Sequence, residues 1–193
     1  MASELQGLRV AFVVANEGVE QAELTAPWQA IEDSGSRPEL VATKPGQVRA
    51  MKHLDWADTF SVDRTTDGAR AEEFDAVVLP GGVANADQLR TDRAAVEFLQ
   101  EMFRLGKPAA VICHGAWALV EGGLVQGRRL TSWPSLRTDI TNAGGEWVDQ
   151  EVQVCRCHTN ALVTSRKPDD LPAFCTEMIQ VFQSDRQPAG ARG

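Results

Sequence analysis

The sequence has few of the features that would suggest a secreted, membrane or nucleic-acid-binding protein. Its four cysteines are not spaced like a disulfide framework, and no apolar run approaches transmembrane length. The formal net charge of −8 argues against a basic surface, so we expect neither nucleic acid nor a membrane as a partner. No basic segment followed by an apolar stretch lies near Met1, which favours a reducing, cytoplasmic location.

The length and composition fit one α/β domain. A chain of 193 residues can bury one substantial core but is short for two, and 43% hydrophobic with 24% charged residues is ordinary for a globular protein. We see no internal repeat or low-complexity tract before the polar C-terminus. We therefore predict a single domain over residues 8–183 and a disordered tail over 184–193.

Apolar strands alternate with helical segments along the chain. The pattern predicts buried strands at 8–15, 38–43, 74–79 and 109–112, and helices at 20–34, 91–104 and 168–182. Residues 16–19 are expected to form a turn, and the polar stretch 47–70 to form loops with short strands. This alternation predicts a doubly wound, mostly parallel sheet, whose functional sites lie beyond the carboxyl ends of the strands.

The stretch from 109 to 117 carries the strongest chemical signal. An apolar strand, Ala109–Ile112, runs directly into Cys113, His114 and Gly115, and a helix is predicted from Ala116. A nucleophile at a sharp strand-to-helix turn is the arrangement of a nucleophile elbow. The start of the helix would favour the thiolate of Cys113. The alternative interpretation is a small, inert core cysteine.

Other residues at these strand ends are candidates for the same site. A protonated Glu20 would donate a hydrogen bond to the sulfur. The alternative is that Glu20 is only an acid in the first helical turn, where the helix dipole favours a negative charge. The backbone N–H groups of His114 and Gly82 are candidate oxyanion donors, and the His114 imidazole a candidate base. Asp87 is a candidate orienting acid for His114; otherwise it is a solvated loop residue.

The segment Cys155-Arg156-Cys157-His158 raises a metal hypothesis. Zinc needs four ligands, and strand alternation places Cys155 and Cys157 on one side with His158 on the other. A solvent-side hairpin is the favoured interpretation, and no metal is expected. The first strand is followed by no glycine-rich phosphate motif, so no dinucleotide or other cofactor is expected.

Several separate motifs resemble the PfpI family of intracellular cysteine proteases and stress proteins. They are AVICHGAW (110–117), VLPGG (78–82), NAGGEWVDQEV (142–152) and TSRKPDDLPAF (164–174). This family lies in the superfamily of the Parkinson-disease protein deglycase. The resemblance implies a flavodoxin-like, glutamine-amidotransferase-like fold and a homodimer or larger homo-oligomer. Among the members of the family, the sequence looks most similar to the bacterial general-stress proteins.

The resemblance also implies roles for individual residues. It makes Cys113 the nucleophile, His114 the catalytic histidine and Gly82 the oxyanion glycine. The segment ANEGVEQAEL (15–24) matches the first-turn motif and places the family's glutamate at Glu20. In protease-like members an acid from a neighbouring subunit holds the histidine; the corresponding loop here, which contains Asp87, is one residue longer. The cysteines of segment 155–158 depart from the family pattern.

These expectations lead to a stress-response hydrolase or deglycase. Cys113 would attack small reactive carbonyls such as methylglyoxal, or their adducts on proteins. One alternative is an intracellular cysteine peptidase. A second is a sensor in which Cys113 oxidises to sulfenic and then sulfinic acid. A third is a scaffold with an inert cysteine.

Overall fold

The computed structural model describes residues 4–185. Its strands are β1 (Arg9–Val14), β2 (Glu17–Glu20), β3 (Arg37–Ala42), β4 (Gln47–Lys52), β5 (Asp55–Ser61), β6 (Arg64–Thr65), β7 (Ala76–Leu79), β8 (Ala109–Ile112), β9 (Arg129–Leu130), β10 (Glu146–Trp147), β11 (Val152–Cys155) and β12 (Leu162–Ser165). Its α-helices are α1 (Gln21–Asp33), α2 (Val83–Thr91), α3 (Arg93–Arg104), α4 (Ala116–Glu121), α5 (Arg137–Asn142) and α6 (Leu171–Ser184). The expected disordered tail falls mainly on 186–193, outside the described residues.

A seven-stranded sheet forms the centre of the molecule. Its order is β11-β12-β8-β7-β1-β3-β6, and every neighbouring pair is parallel except β11 with β12. Alternate residues of β1 enter two different hydrophobic clusters, with Phe12 on one face and Val13 on the other. Because both faces are covered, the predicted doubly wound, flavodoxin-like sheet is confirmed.

Helices from different parts of the chain cover the two faces. Leu24 of α1 and Phe174 of α6 belong to the cluster that contains Phe12. Leu99 of α3 and Leu119 of α4 belong to the opposite cluster. No helix within residues 4–185 has both the length and the apolar character needed to cross a bilayer.

Two segments are more ordered than the sequence pattern predicts. The expected turn at 16–19 contains β2, which pairs in parallel with β4, and β4 pairs with β5 to complete a separate three-stranded sheet. The expected loop after Gly82 is the helix α2. Both segments are stabilised by contacts with distant parts of the chain, which local periodicity does not reveal.

The strand order brings the candidate residues to one edge. The strands β1, β7 and β8 are neighbours in the sheet and run in the same direction, so their carboxyl ends lie side by side. These ends lead into β2, the turn at Gly81 and Gly82, and Cys113, respectively. The site therefore forms at the edge where parallel sheets usually place one.

Candidate active site

Cys113 occupies the turn between β8 and α4. Its φ is 60°, in the left-handed region that costs a non-glycine residue about 1–3 kcal/mol and occurs most often at functional sites. The residues from Cys113 to Gly115 form a 3₁₀ turn that leads into α4, and the Cys113 carbonyl accepts a 3.2 Å hydrogen bond from the Trp133 N–H. The predicted strand, sharp turn and helix are confirmed.

The glycine turn after β7 faces the sulfur. The backbone N–H groups of Gly82 and His114 both donate to the Cys113 Sγ. A Cβ built at Gly81 would lie 2.6 Å from the Cys113 Cβ and 3.0 Å from the His114 nitrogen, so no larger residue fits there. Gly82 has a φ of 90°, which glycine adopts without strain.

Asn85 on α2 fixes this turn to the central sheet. Its Oδ1 accepts a 2.7 Å hydrogen bond from the Ala15 N–H, just beyond β1. Its Nδ2 donates to the carbonyls of Pro80 and Gly81 at 3.1 and 2.9 Å. The side chain is fully buried, so these bonds hold the turn without competition from water.

The carboxyl group beside the sulfur belongs to Glu23, not to Glu20. Glu23 hydrogen-bonds Cys113, and its Oε2 accepts a 2.8 Å bond from the Gly81 N–H. The Glu20 carboxylate instead accepts a 3.0 Å bond from the His53 N–H, and both residues line the cleft. The placement of Glu20 at the sulfur was wrong because β2 continues to residue 20, and α1 turns Glu23 inward one turn later.

The helical spacing of the sequence contains a signal for Glu23. Helical spacing places Glu23 on the same face as Pro27 and Ile31, and all three are buried in α1. A carboxyl group in an apolar helical stripe is unusual, because burying a charge is costly. That position therefore distinguishes Glu23 from the other acids near the start of the helix.

Burial controls the ionisation of the Glu23 carboxyl group and of the Cys113 thiol. Desolvation raises the pKa of Glu23 to about 8, although hydrogen bonds from Cys113 and Gly81 oppose the shift. Burial also raises the pKa of the Cys113 thiol, and a charge on Glu23 raises it further. At neutral pH Glu23 is therefore mainly an uncharged acid, and its buried Oε1 has no hydrogen-bond partner among the described residues.

This result corrects the expectation that the helix start alone makes Cys113 acidic. The N–H groups of Gly82 and His114 do lower its pKa, but desolvation of a side chain in a residue only 6% exposed outweighs them. The helix α4 has six residues and begins three positions after the cysteine, so its dipole is weak. The resting Cys113 is therefore a thiol, and a charge on Glu23 would disfavour the thiolate further.

His114 lies against the sulfur despite being its neighbour in sequence. Its Nδ1 is 3.2 Å from the Cys113 Sγ, and its ring stacks on Trp133 with a centroid separation of 5.7 Å and contacts Trp117 edge-on at 5.4 Å. Burial lowers the pKa of His114 to about 4. The imidazole is therefore neutral at physiological pH, and its Nδ1 lies within hydrogen-bonding distance of the thiol.

Asp87 lies on the rim of the site and is held by its own helix. Its Oδ1 accepts hydrogen bonds of 3.0 and 2.7 Å from Arg90, whose guanidinium covers the Trp117 ring at 4.8 Å from the centroid. Within this chain its hydrogen-bond partner is therefore Arg90 and not His114. The expected orienting role for Asp87 has no support from these contacts.

An open cleft of about 680 Å³ leads to the sulfur. Its walls come from β2, the β4–β5 turn, α2 and the segment around Pro168, and include Glu20, Glu23, His53, Asp87 and Lys167. The described residues contain no group of three or more His, Cys, Asp or Glu side chains placed to hold a metal ion. The arrangement offers one nucleophile, one buried acid, one neutral base and two N–H donors to a molecule in the cleft.

Comparison with known proteins identifies the family. Residues 8–181 match the DJ-1/PfpI family. The chain belongs to the DJ-1/PfpI family. It is 38% identical over 176 residues to Deglycase PH1704 of Pyrococcus horikoshii, covering 91% of this chain and 100% of that protein. It is 36% identical over 171 residues to General stress protein 18 of Bacillus subtilis, covering 89% and 96%.

A solved DJ-1/PfpI structure supports the same assignment. A two-domain protein of Anabaena variabilis, with DJ-1/ThiJ/PfpI-like and ferritin-like domains, aligns with a TM-score of 0.81 and 32% identity. The match covers 89% of this chain and 49% of that one, so this chain spans about half the length of that protein. The DJ-1/PfpI domain thus includes all the elements that form the cleft.

Proposed function

We propose that this protein is a cysteine-dependent deglycase that acts on methylglyoxal-type carbonyls or on their adducts with proteins. The observation that carries the proposal is the convergence of Glu23, His114 and the Gly82 N–H on the Cys113 sulfur. Similarity to a protein named a deglycase supports the substrate class. Similarity to a general stress protein supports a role in stress responses. A cytoplasmic location is part of the proposal.

In the first step, the Cys113 sulfur attacks the aldehyde carbon of methylglyoxal. The thiol proton passes to the His114 Nδ1, which is 3.2 Å away. As the S–C bond forms and the C=O π bond breaks, the N–H groups of Gly82 and His114 stabilise the oxyanion. Glu23 then donates its proton to that oxygen, which gives a neutral hemithioacetal.

The remaining steps use the groups that the first step has ionised. The Glu23 carboxylate removes the hydrogen from the former aldehyde carbon, and an enediol forms. Glu23 returns this proton to the adjacent carbon, which gives a thioester of lactate. Water then attacks the thioester carbon and breaks the S–C bond, and the Glu23 carboxylate takes the proton that the water releases. His114 returns its proton to the sulfur, so the net reaction adds one water to methylglyoxal and yields lactate.

The cleft is suited to a small carbonyl attached to a larger molecule. It is open to solvent, and Trp117 and Trp133 provide apolar surface beside the nucleophile. An adduct on a lysine or cysteine side chain would enter while the modified protein stayed outside. Peptide hydrolysis would need an extended cleft that a second copy of the chain helps to form.

A turnover experiment tests the proposal. Wild type should convert methylglyoxal to lactate, and Cys113→Ser should lose at least 100-fold in kcat, because serine is a far weaker nucleophile in this site. Cys175→Ser is the matched control, since Cys175 is a half-buried thiol on α6 that does not line the cleft. Equal activity in wild type and Cys113→Ser, with both variants folded, would contradict the proposal.

A second candidate function, oxidation sensing, is favoured by one feature of the same site. The Glu23 proton and the two backbone N–H groups would also stabilise the oxygens of a Cys113 sulfinate. Peroxide treatment followed by mass spectrometry distinguishes the two functions. Addition of two oxygens at Cys113 without carbonyl turnover would favour the sensor.

A homodimer or larger homo-oligomer is part of the proposal. Leu54 and Val83, at the rim of the cleft, are 90% and 55% exposed in the single chain. A second copy that covered them would also narrow the cleft. Light scattering of the purified protein measures the mass of the assembly, and a monomer at micromolar concentration would remove this part of the proposal.

A further inference from the structure

A second pair of thiols lies away from the candidate active site. Cys155 is the last residue of β11, and Cys157 lies two positions later in a bend. Their Sγ atoms are 2.7 Å apart, and the Cys157 thiol also donates to the Gly127 carbonyl at 3.5 Å. Cys155 is 5% exposed whereas Cys157 is exposed, so one thiol of the pair is accessible and the other is protected.

A buried arginine lies against these thiols. Arg128 is only 4% exposed, and its guanidinium donates to the backbone carbonyl and to the Oδ1 of Asn160, at 3.2 and 2.5 Å. The guanidinium also covers the Phe103 ring, with 5.2 Å to the centroid. Arg128 takes part in none of the ion pairs between residues 4 and 185.

A buried positive charge without a carboxylate is costly unless another anion compensates it. The amide oxygens of Asn160 are neutral, which leaves the sulfur of Cys155 as the group able to carry a compensating negative charge. Burial raises the pKa of Cys155, but hydrogen bonds, chiefly from Cys157, and the charge of Arg128 outweigh burial and lower it overall. The arginine and the thiol thus favour each other's charged forms.

The strand register separates this pair from Cys113. Cys155 lies opposite Leu162 in the β11–β12 pair, and Leu162 lies opposite Ala109 in the β12–β8 pair. Cys113 follows four residues after Ala109, which is about 13 Å along the strand at roughly 3.3 Å per residue. The pair is therefore near the opposite end of the sheet from the candidate active site.

We propose that Cys155 and Cys157 form a reversible thiol–disulfide site, with Arg128 as the positioning residue, and that small disulfides of the glutathione type oxidise it. The two sulfurs are already in contact, so less than about 1 Å of movement would bring them to bonding distance. This site is independent of the proposed carbonyl chemistry at Cys113.

The exchange proceeds in two balanced steps. Cys157, as the exposed thiol, attacks one sulfur of the small disulfide, and its proton leaves with the first released thiol. The Cys155 thiolate then attacks the Cys157 sulfur of this mixed disulfide and displaces the second half as a thiolate. The protein loses two electrons and one proton, the small disulfide is reduced to one thiol and one thiolate, and the Cys155–Cys157 bond forms.

Thiol trapping in glutathione buffers tests the site. The reduced full-length protein is equilibrated with mixtures of reduced and oxidised glutathione, alkylated and analysed by mass spectrometry. Wild type and Cys113→Ser should both lose two hydrogens in the peptide that contains Cys155 and Cys157. Cys155→Ser should instead accumulate a glutathione adduct on Cys157. A stable adduct on Cys157 in wild type, or two free thiols in oxidised glutathione alone, would overturn the proposal.

The role of Arg128 has a separate readout. The reaction measured is the conversion of a preformed glutathione adduct on Cys157 into the Cys155–Cys157 disulfide, called resolution. It should be at least tenfold slower in Arg128→Gln than in wild type, and Arg128→Lys should recover part of the rate. Should Arg128→Gln not fold, the pH dependence of Cys155 alkylation in Cys157→Ser reports the same interaction. An unchanged resolution rate in folded Arg128→Gln, or alkylation of Cys155 only above the range of a free thiol, would eliminate the positioning role.

Discussion

Replacing Glu23 with glutamine should change how stability depends on pH. The buried acid keeps its proton up to a pKa of about 8 in the folded chain, whereas the model value for an exposed glutamate is 4.5. Between these two pH values the unfolded chain loses the proton and the folded chain retains it. Stability from this group is therefore complete below pH 4.5 and is lost as the pH rises towards 8.

The size of the effect follows from the same shift. Each pH unit within this window lowers the free energy of unfolding by about 1.4 kcal/mol. Between about pH 5.5 and about pH 7.5, wild type should lose roughly 2.7 kcal/mol relative to Glu23→Gln, which has no proton to release. Because Glu23 is fully buried, solvent screening does not reduce this value much.

Urea unfolding at a series of pH values, at one protein concentration, measures this difference. Glu20→Gln is the matched control, because Glu20 is half-buried at the cleft wall and its amide would still accept the bond from the His53 N–H. The pH dependence of its stability should stay close to that of wild type, because the charge of Glu20 is the smallest of the causes that shift the pKa of Glu23. Parallel curves for wild type and Glu23→Gln would refute the assignment of a proton to Glu23. Glu23→Gln should also lose roughly 100-fold or more in carbonyl turnover, which is a typical contribution of a general acid.

Three further changes test neighbouring parts of the site. Gly82→Ala should destabilise the protein by more than about 2 kcal/mol in urea unfolding, because its φ is 90° and a Cβ would overlap backbone atoms of β2. The control is Gly123→Ala, which has a φ of 68° but no atom within 4 Å of the new Cβ, and it should cost only about 1 kcal/mol. Asp87→Asn should change turnover less than about threefold, since Arg90 holds that carboxylate, and a larger loss would show that the acid acts on His114 in an assembly. NMR titration of His114 should show no protonation above about pH 5, and a midpoint near 6.5 would contradict its burial.

Local patterns were sufficient for the main architecture. The alternation of apolar strands and amphipathic helices predicts the parallel sheet, because strand and helix periods are properties of short segments. The nucleophile elbow was predicted at its observed bounds, since the apolar strand Ala109–Ile112 and the helix Ala116–Glu121 flank the Cys-His-Gly turn directly. The polar segment 47–70 gave a weaker signal, because its strands β4 and β5 face solvent on one side.

The identity of the acid beside the sulfur depends on contacts between distant segments and not on local pattern. Glu20 and Glu23 are one helical turn apart, and the choice between them depends on where β2 ends and α1 begins. That boundary is set by the pairing of β2 with β4, a contact between segments about 30 residues apart in sequence. Helical spacing with Pro27 and Ile31 favours Glu23, but only after the start of the helix is known.

The sequence by itself determined the alternation of the central strands with their covering helices, the family motifs and the position of Cys113 at the end of a central strand. Only the tertiary structure decided which side chains meet there: Glu23 from α1, the glycine turn held by Asn85, and His114 folded back onto the sulfur. It also placed Arg128 against Cys155 and Cys157. Periodicity specifies which face of a segment is buried, whereas contacts between segments depend on packing over the whole chain, and the pKa values depend on the burial that this packing creates.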